Sequence, residues 1–132
     1  VDTGINHANP RFRREDGSAR HLGAWDQALE TGAPDPVNGF QALYGTQYSR
    51  EEIDQALAAP DPLALVPSAD ENGHGTFLAS VAAGGEDPDQ DFTGAAPRAS
   101  IAMVKLKPAK AYLRDFYLIR EGADAYQEND IM

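Results

Sequence analysis

Apolar residues along this chain come in short, separated groups, and each group has its own spacing. In YSREEIDQALAAP, Ile53, Ala56 and Leu57 share one face at helical spacing. Ser49 stands three residues ahead of Glu52 in the pattern of a capping box, and Pro60 and Pro62 end the segment. HGTFLASVAAG predicts a second helix, with Phe77, Leu78, Val81 and Ala82 on one side and Gly84 and Gly85 as its stop. IAMVKL is a run of apolar and β-branched residues of strand length, which predicts a short buried strand. ARHLGAWDQAL, with Leu22, Trp25 and Leu29, fits either a short strand leading into a turn or a short helix, and Trp25 is expected to anchor a small core cluster.

The C-terminal part is less decided. AYLRDFYLI fits a strand, a helix or an ordered loop. Its Leu113, Phe116, Tyr117, Leu118 and Ile119 are too many apolar groups for a free surface and predict a core or an interface. DAYQENDIM opens with Asp124 and Gln127 at capping-box spacing and predicts the start of a helix. Between these elements, NHANPRFRREDGS, ETGAPDPVNGF, LALVPSADENG and GEDPDQDFTGAAPRAS carry the Gly, Pro, Asn and Asp of loops. His7 and His21 fall in stretches read as loops and are expected at the surface.

Composition narrows the function classes. At 132 residues and 42% apolar content, the chain is long enough for one domain with a sizeable core. Net charge is -10, and from Glu51 to Pro97 there are ten acids and no Lys or Arg. That excludes a nucleic-acid surface along this stretch and reads as a solvated acidic face. No apolar run approaches a membrane span, so no membrane partner is expected. Without cysteine there are no disulfides, thiolate zinc sites or cysteine nucleophiles. The chain opens at VDTG without methionine, which leaves room for an upstream segment. Asp87, Asp89 and Asp91 alternate as calcium ligands do, but the EF-hand template counted from Asp87 places Phe92 where glycine is needed and Arg98 where glutamate is needed. No motif supports a cofactor or metal.

Two side chains stand out chemically. Asp2 sits between Val1 and a Thr-Gly pair, at what reads as a strand end, where an α/β protein aims a carboxylate into a site. His74 opens a helix between Gly73 and Gly75, which let the backbone turn sharply and other groups approach the ring. An imidazole held by a carboxylate keeps one tautomer and offers its other nitrogen as a base near neutral pH. Any chain offers many Asp–His combinations, and the alternative readings are a turn acid closing on Gly4 and a helix-capping histidine.

The blocks around these residues are specific. VDTGI, NGHGTFLAS and FTGAAPRASIAMVKL resemble the aspartate block, the histidine block and the following strand of the subtilisin-like serine proteases. GTQYSREEIDQAL, VKLKPAKAYLRDFYLI and AYQENDIM are similar to the clostridial Csp-type germination proteases and related Firmicutes subtilases. The resemblance implies an α/β fold, a parallel sheet with flanking helices that is incomplete at its C-terminal side, with residues 1–132 forming an N-terminal portion of the catalytic domain. It implies a serine endopeptidase in which Asp2 orients and His74 is the general base, acting on protein or peptide substrates. It further implies a bacterial setting, intracellular or spore-associated. The alternative within the same fold is a pseudoprotease or partner-binding module.

This sequence departs from the family at several places. Phe77 stands where many members have a second histidine, Ser80 where many have glycine, and LKPAKAYLRDF where many have a glycine-rich cleft strand. No block resembling the family's nucleophile serine or oxyanion asparagine is found. The serines are Ser18, Ser49, Ser68, Ser80 and Ser100, and only Ser68, in VPSAD, has much turn context. Structural calcium, frequent in complete subtilase domains, has no motif here. A sheet with open edges and an uncovered apolar face predicts homo-oligomers.

Overall fold

The computed structural model describes residues 1–30 and 42–120. The elements run β1 (His21–Asp26), β2 (Thr46–Ser49), α1 (Arg50–Ala58), α2 (Pro62–Leu65), α3 (His74–Ala83), β3 (Ile101–Lys105) and α4 (Ala111–Phe116), with a 3-10 turn at Pro10–Phe12. The helix start expected at Asp124 lies outside the described residues, as does nearly all of the ETGAPDPVNGF loop.

ARHLGAWDQAL forms a strand, and it is the central one. The sheet order is β2-β1-β3, with β1 antiparallel to β2 and parallel to β3. The fold is a mixed α/β arrangement, a small open sheet flanked by helices. The antiparallel partner β2 is not among the elements the sequence predicts, because it is four residues long and runs directly into α1. On the far edge of β3, the amide of Asp2 donates to the Val104 carbonyl (3.0 Å) and the Leu106 amide donates to the Asp2 carbonyl (2.9 Å). Lys105 faces the other way and accepts from the Gln27 amide. The first residues of the chain thus extend the sheet beyond β3.

Helix α1 forms as its sequence dictates. Ser49 accepts from the Glu52 amide and Glu52 returns the bond to the Ser49 amide, closing the capping box. Ile53 and Ala56 go into the core with Phe12, Tyr48, Val66 and Met103. Pro62 does not merely end α1. It occupies the first turn of α2, where its missing N–H is no loss, and Asp61 caps it. The segment read as loop therefore holds one helical turn.

Helix α3 faces the opposite way from expectation. Phe77, Leu78, Val81 and Ala82 are exposed, and Gly75, Ala79 and Ala83, spaced four apart, turn inward. Small residues win the inner face because the backbone packs too closely for larger ones. A Cβ added at Gly84 or at Gly94 would lie 2.6 Å from the Ser80 carbonyl oxygen. Gly84 ends α3 in an extended conformation, so it is required for this close approach and not for a left-handed cap. In AYLRDFYLI, Phe116, Tyr117 and Leu118 are likewise exposed, which corrects the core reading of that stretch.

The expectation for two histidines is overturned. His7 and His21 are 2% and 0% exposed. Polar residues beside turn signals were read as loop, but β1 is the interior strand and its first residue points inward, against the edge of Phe12 (centroids 6.1 Å apart). Neither ring nitrogen of His21 has a hydrogen-bond partner. Burial, with the nearby charges of His7 and Arg20, pulls His21 down to about 4. Burial also lowers His7, helped by the charge of Arg13 and opposed by the Ser68 main chain.

A group whose folded pKa lies below its unfolded value binds fewer protons when folded, so stability is full above the unfolded pKa and is lost as pH falls. For His21 the window runs from the ordinary histidine value of 6.5 down to about 4. Urea midpoints should fall steadily across that window, and the unfolding free energy they report should drop by roughly 2–3 kcal/mol in total. His21→Phe, which keeps a ring against Phe12, should flatten the slope. A midpoint that holds level through the window would contradict a buried neutral His21.

Candidate acid–base site

The site is assembled where the start of the chain passes α3. Asp2 is fixed by its two main-chain bonds to β3. His74 is the first residue of α3, and Gly73 before it is left-handed, φ 86°, a geometry that favours glycine. These two anchors bring His74 Nδ1 to 2.7 Å from Asp2 Oδ1. The same carboxylate oxygen accepts from the Thr3 amide (2.7 Å). Burial pushes the Asp2 carboxyl up, but the His74 and Thr3 hydrogen bonds together outweigh it and hold the group below its ordinary value. Asp2 is thus an anion and an acceptor, Nδ1 of His74 donates to it, and Nε2 is the basic nitrogen of the ring. The His74 side chain is 57% exposed, so a solute can reach it.

A third acid, which sequence reasoning missed, holds the pair together. Asp70 Oδ1 accepts from the Thr3 hydroxyl (2.7 Å) and the Gly73 amide (2.9 Å), and Oδ2 accepts from the amide and hydroxyl of Thr76. Thr3 Oγ1 also accepts from the Gly75 amide (2.9 Å), and Thr76 Oγ1 accepts from the Asn6 amide (2.9 Å). One carboxylate therefore ties Thr3, the neighbour of Asp2, to the first turn of α3. It stands in for the side-chain cap that Gly73 lacks, and a negative charge is favourable there. Burial raises the Asp70 pKa, but the bonds from Thr76, Thr3 and Gly73 bring it below the usual range. The signal was present in DENGHGT, an acid four residues ahead of the helix with a hydroxyl just inside it.

Two further contacts set the distance between the strand and the helix. A Cβ on Gly75 would lie 2.1 Å from the Gly4 carbonyl oxygen and 3.1 Å from Asp2 Cβ, so only glycine allows α3 to come this close. Lys105, at the end of β3, donates to the Ala69 carbonyl (2.7 Å) and reaches Glu71 at 3.4 Å, anchoring the segment that leads to His74.

The serines lie elsewhere. Ser68 is buried and its hydroxyl donates to Asp26 (2.6 Å). Ser80 donates to the Thr76 carbonyl within α3, Ser18 to Asp16, and Ser49 caps α1. In the acidic loop Asp87 pairs with Arg11. Among the described residues no three His, Asp or Glu side chains converge as metal ligands, and no helix is long and apolar enough to cross a membrane.

An aspartate at the sheet edge is hydrogen-bonded to a helix-opening histidine beside a small mixed sheet, and comparison places the chain in a family. The profile of the subtilase family (Peptidase S8) matches residues 1–132, and the chain belongs to that family. Among solved structures it is similar to the CspB protease of Clostridium perfringens, with 34% identity over 81% of this chain and a TM-score of 0.65. The match spans only 19% of that protein's length. No curated protein sequence matches significantly.

Asp70→Ala should lower stability by about 2–3 kcal/mol, because two amides and two hydroxyls lose a charged acceptor. It should also loosen the Asp2–His74 bond, seen as a change in the nitrogen-15 shift of His74 Nδ1 and in the histidine titration curve. Asp70→Asn, which keeps one acceptor oxygen, should lie between. An unchanged His74 spectrum in Asp70→Ala would mean that the clamp does not position the ring.

Proposed function

We propose that residues 1–132 are the N-terminal portion of a subtilisin-like serine endopeptidase domain, in which Asp2 is the orienting acid and His74 the general base. The observation that carries this reading is the 2.7 Å bond from His74 Nδ1 to Asp2 Oδ1 on an exposed ring. In that role Nε2 takes the proton from a serine hydroxyl as it attacks the substrate carbonyl. It then returns the proton to the leaving amine, while Asp2 holds the tautomer and stabilises the imidazolium. In this reading the serine and the oxyanion donor are supplied by sequence beyond these residues, since Ser68 is buried against Asp26, Ser80 bonds within α3, Ser18 binds Asp16 and Ser49 caps α1. The substrate class is protein or peptide.

Residues 1–132 alone should not hydrolyse casein, because a base and its orienting acid supply neither nucleophile nor oxyanion stabilisation. The full-length polypeptide should react stoichiometrically with a fluorophosphonate probe, and His74→Ala should abolish the labelling. Absence of labelling in an intact, folded full-length protein would reject the enzyme and leave a binding module of the same fold.

The exposed Phe77, Leu78 and Val81 of α3, with Phe116, Tyr117 and Leu118 at the end of α4, support a second reading of the isolated chain. It associates with itself through these apolar groups, and its net charge of -10 restrains indiscriminate aggregation without preventing a specific contact. Sedimentation equilibrium at physiological salt should give a mass above the 14.2 kDa of one chain. A monomer with cooperative unfolding would refute self-association.

A further inference from the structure

At the opposite end of α3 from His74, the chain concentrates the charge it otherwise avoids. An open cleft of about 1030 Å³ is lined by Arg11, Arg13, Arg14, Arg20 and Arg98, five of the eight arginines in a chain of net charge -10. Its carboxylates are Glu15, Asp16 and Glu86. Three of the guanidinium groups, those of Arg13, Arg14 and Arg20, are held in place by neutral acceptors. Arg20, 4% exposed, donates to the carbonyls of Arg11, Ala83 and Ala99. Arg13 donates to Ala8, and Arg14 to Ala19. Arg11 pairs with Asp87, but among the described residues Arg13, Arg14, Arg20 and Arg98 have no carboxylate within ion-pair distance. Asp16 is bound by the Ser18 amide and hydroxyl, and Arg14 acts on it only at a distance.

This arrangement bonds terminal nitrogens of three guanidinium groups without neutralising their charge. The Nε atoms of Arg13 and Arg20 are buried and lack any hydrogen-bond partner. Burial, and then repulsion from Arg14, lowers the pKa of Arg20. Uncompensated cations in a partly dry site are unfavourable, and neighbouring like charges add to the cost. A chain with 21 acids has ample material to pair these arginines, yet among the described residues four of them have no ion-pair partner. Planar guanidinium forks set on a fixed main-chain frame match the paired oxygens of a carboxylate or phosphate.

We propose that this cleft is a binding site for a small multivalent oxyanion, a polycarboxylate or a di- or polyphosphate. Its volume is ample for such a ligand. Arg98, exposed and with no side-chain hydrogen bond among the described residues, is the arginine able to swing onto the ligand, while Arg13 and Arg20 form the fixed floor. The site does not depend on the acid–base pair being catalytic.

Calorimetric titration of the 132-residue chain with citrate and with pyrophosphate, at low and at physiological ionic strength, tests this. The expected result is saturable one-site binding of at least one probe, weakened about tenfold by Arg98→Gln and by Arg13→Gln. Circular dichroism should show Arg98→Gln folded as the parent, so that this variant stays informative if Arg13→Gln unfolds. The two probes separate carboxylate from phosphate sources. Amide shifts on binding should fall at residues 10–20, 85–86 and 97–98. A protein this acidic repels anions in general, so weak, unsaturable heats that Arg98→Gln leaves unchanged would overturn the proposal. Saturable binding whose shifts centre on 70–76 would overturn it too.

Discussion

The Asp70 carboxylate is the constraint on which the rest of the site depends. It sits on neither of the two groups expected to do chemistry, yet its oxygens join Thr3, next to Asp2, with Gly73 and Thr76, which flank His74. A hydrogen bond between an exposed histidine and an aspartate near a chain start contributes little by itself, because both side chains lose rotamer freedom to make it. The bond becomes well defined only when the two main chains are already fixed relative to each other. The Asp70 network does this with charge-assisted bonds, and the Gly75–Gly4 contact sets the closest distance the two segments can reach.

Burial and charge are distributed unevenly around that centre. The interior strand β1 begins with a buried histidine and ends with a buried aspartate, His21 and Asp26. Asp26 is satisfied by the Ser68 hydroxyl and the Ala28 amide, with Lys105 at 3.9 Å. His21 has no such company and stays neutral because burial and neighbouring cations make its charged form unfavourable. Acid therefore acts on the His21 end of the strand, where a proton must enter an apolar, cation-flanked place.

The parts of the fold that were legible in the sequence are those set by local chemistry. The capping box of α1, the strand at 101–105 and the helix opening at His74 depend on neighbours within four residues, and each is found where its pattern lies. Asp2 and His74 were legible from the blocks around them, and their side chains meet. What was not legible depends on packing partners distant in sequence. Whether His21 is inside follows from β1 being the middle strand, which requires knowing that Thr46–Ser49 pairs on one side and Ile101–Lys105 on the other. The inward face of α3 was misjudged for a related reason. Hydrophobicity ranks Phe77 and Leu78 above Gly75 and Ala79, but the Gly4 carbonyl and Gly94 approach so closely that size decides. Asp70 was overlooked because its partners, Thr3 and Thr76, are polar residues that composition treats as surface.

Helix α3 shows how these constraints divide their work. A helix of this length is usually held by burying a broad apolar face, since short helices are marginal alone. Here only Gly75, Ala79 and Ala83 face the core, and small side chains contribute little transfer energy. The ends carry the load instead. Asp70 and Thr3 satisfy amides of the first turn, and at the far end Arg20 accepts the role of a cation at a helix C-terminus by donating to the Ala83 carbonyl. The Ala95 and Ala96 amides add bonds to the Val81 and Ala82 carbonyls. A helix pinned at both ends keeps its first residue in place whether or not its outer face is covered. The geometry of Asp2 and His74 thus follows from polar contacts within residues 2–106, and what meets Phe77, Leu78 and Val81 can change without moving the histidine from its acid.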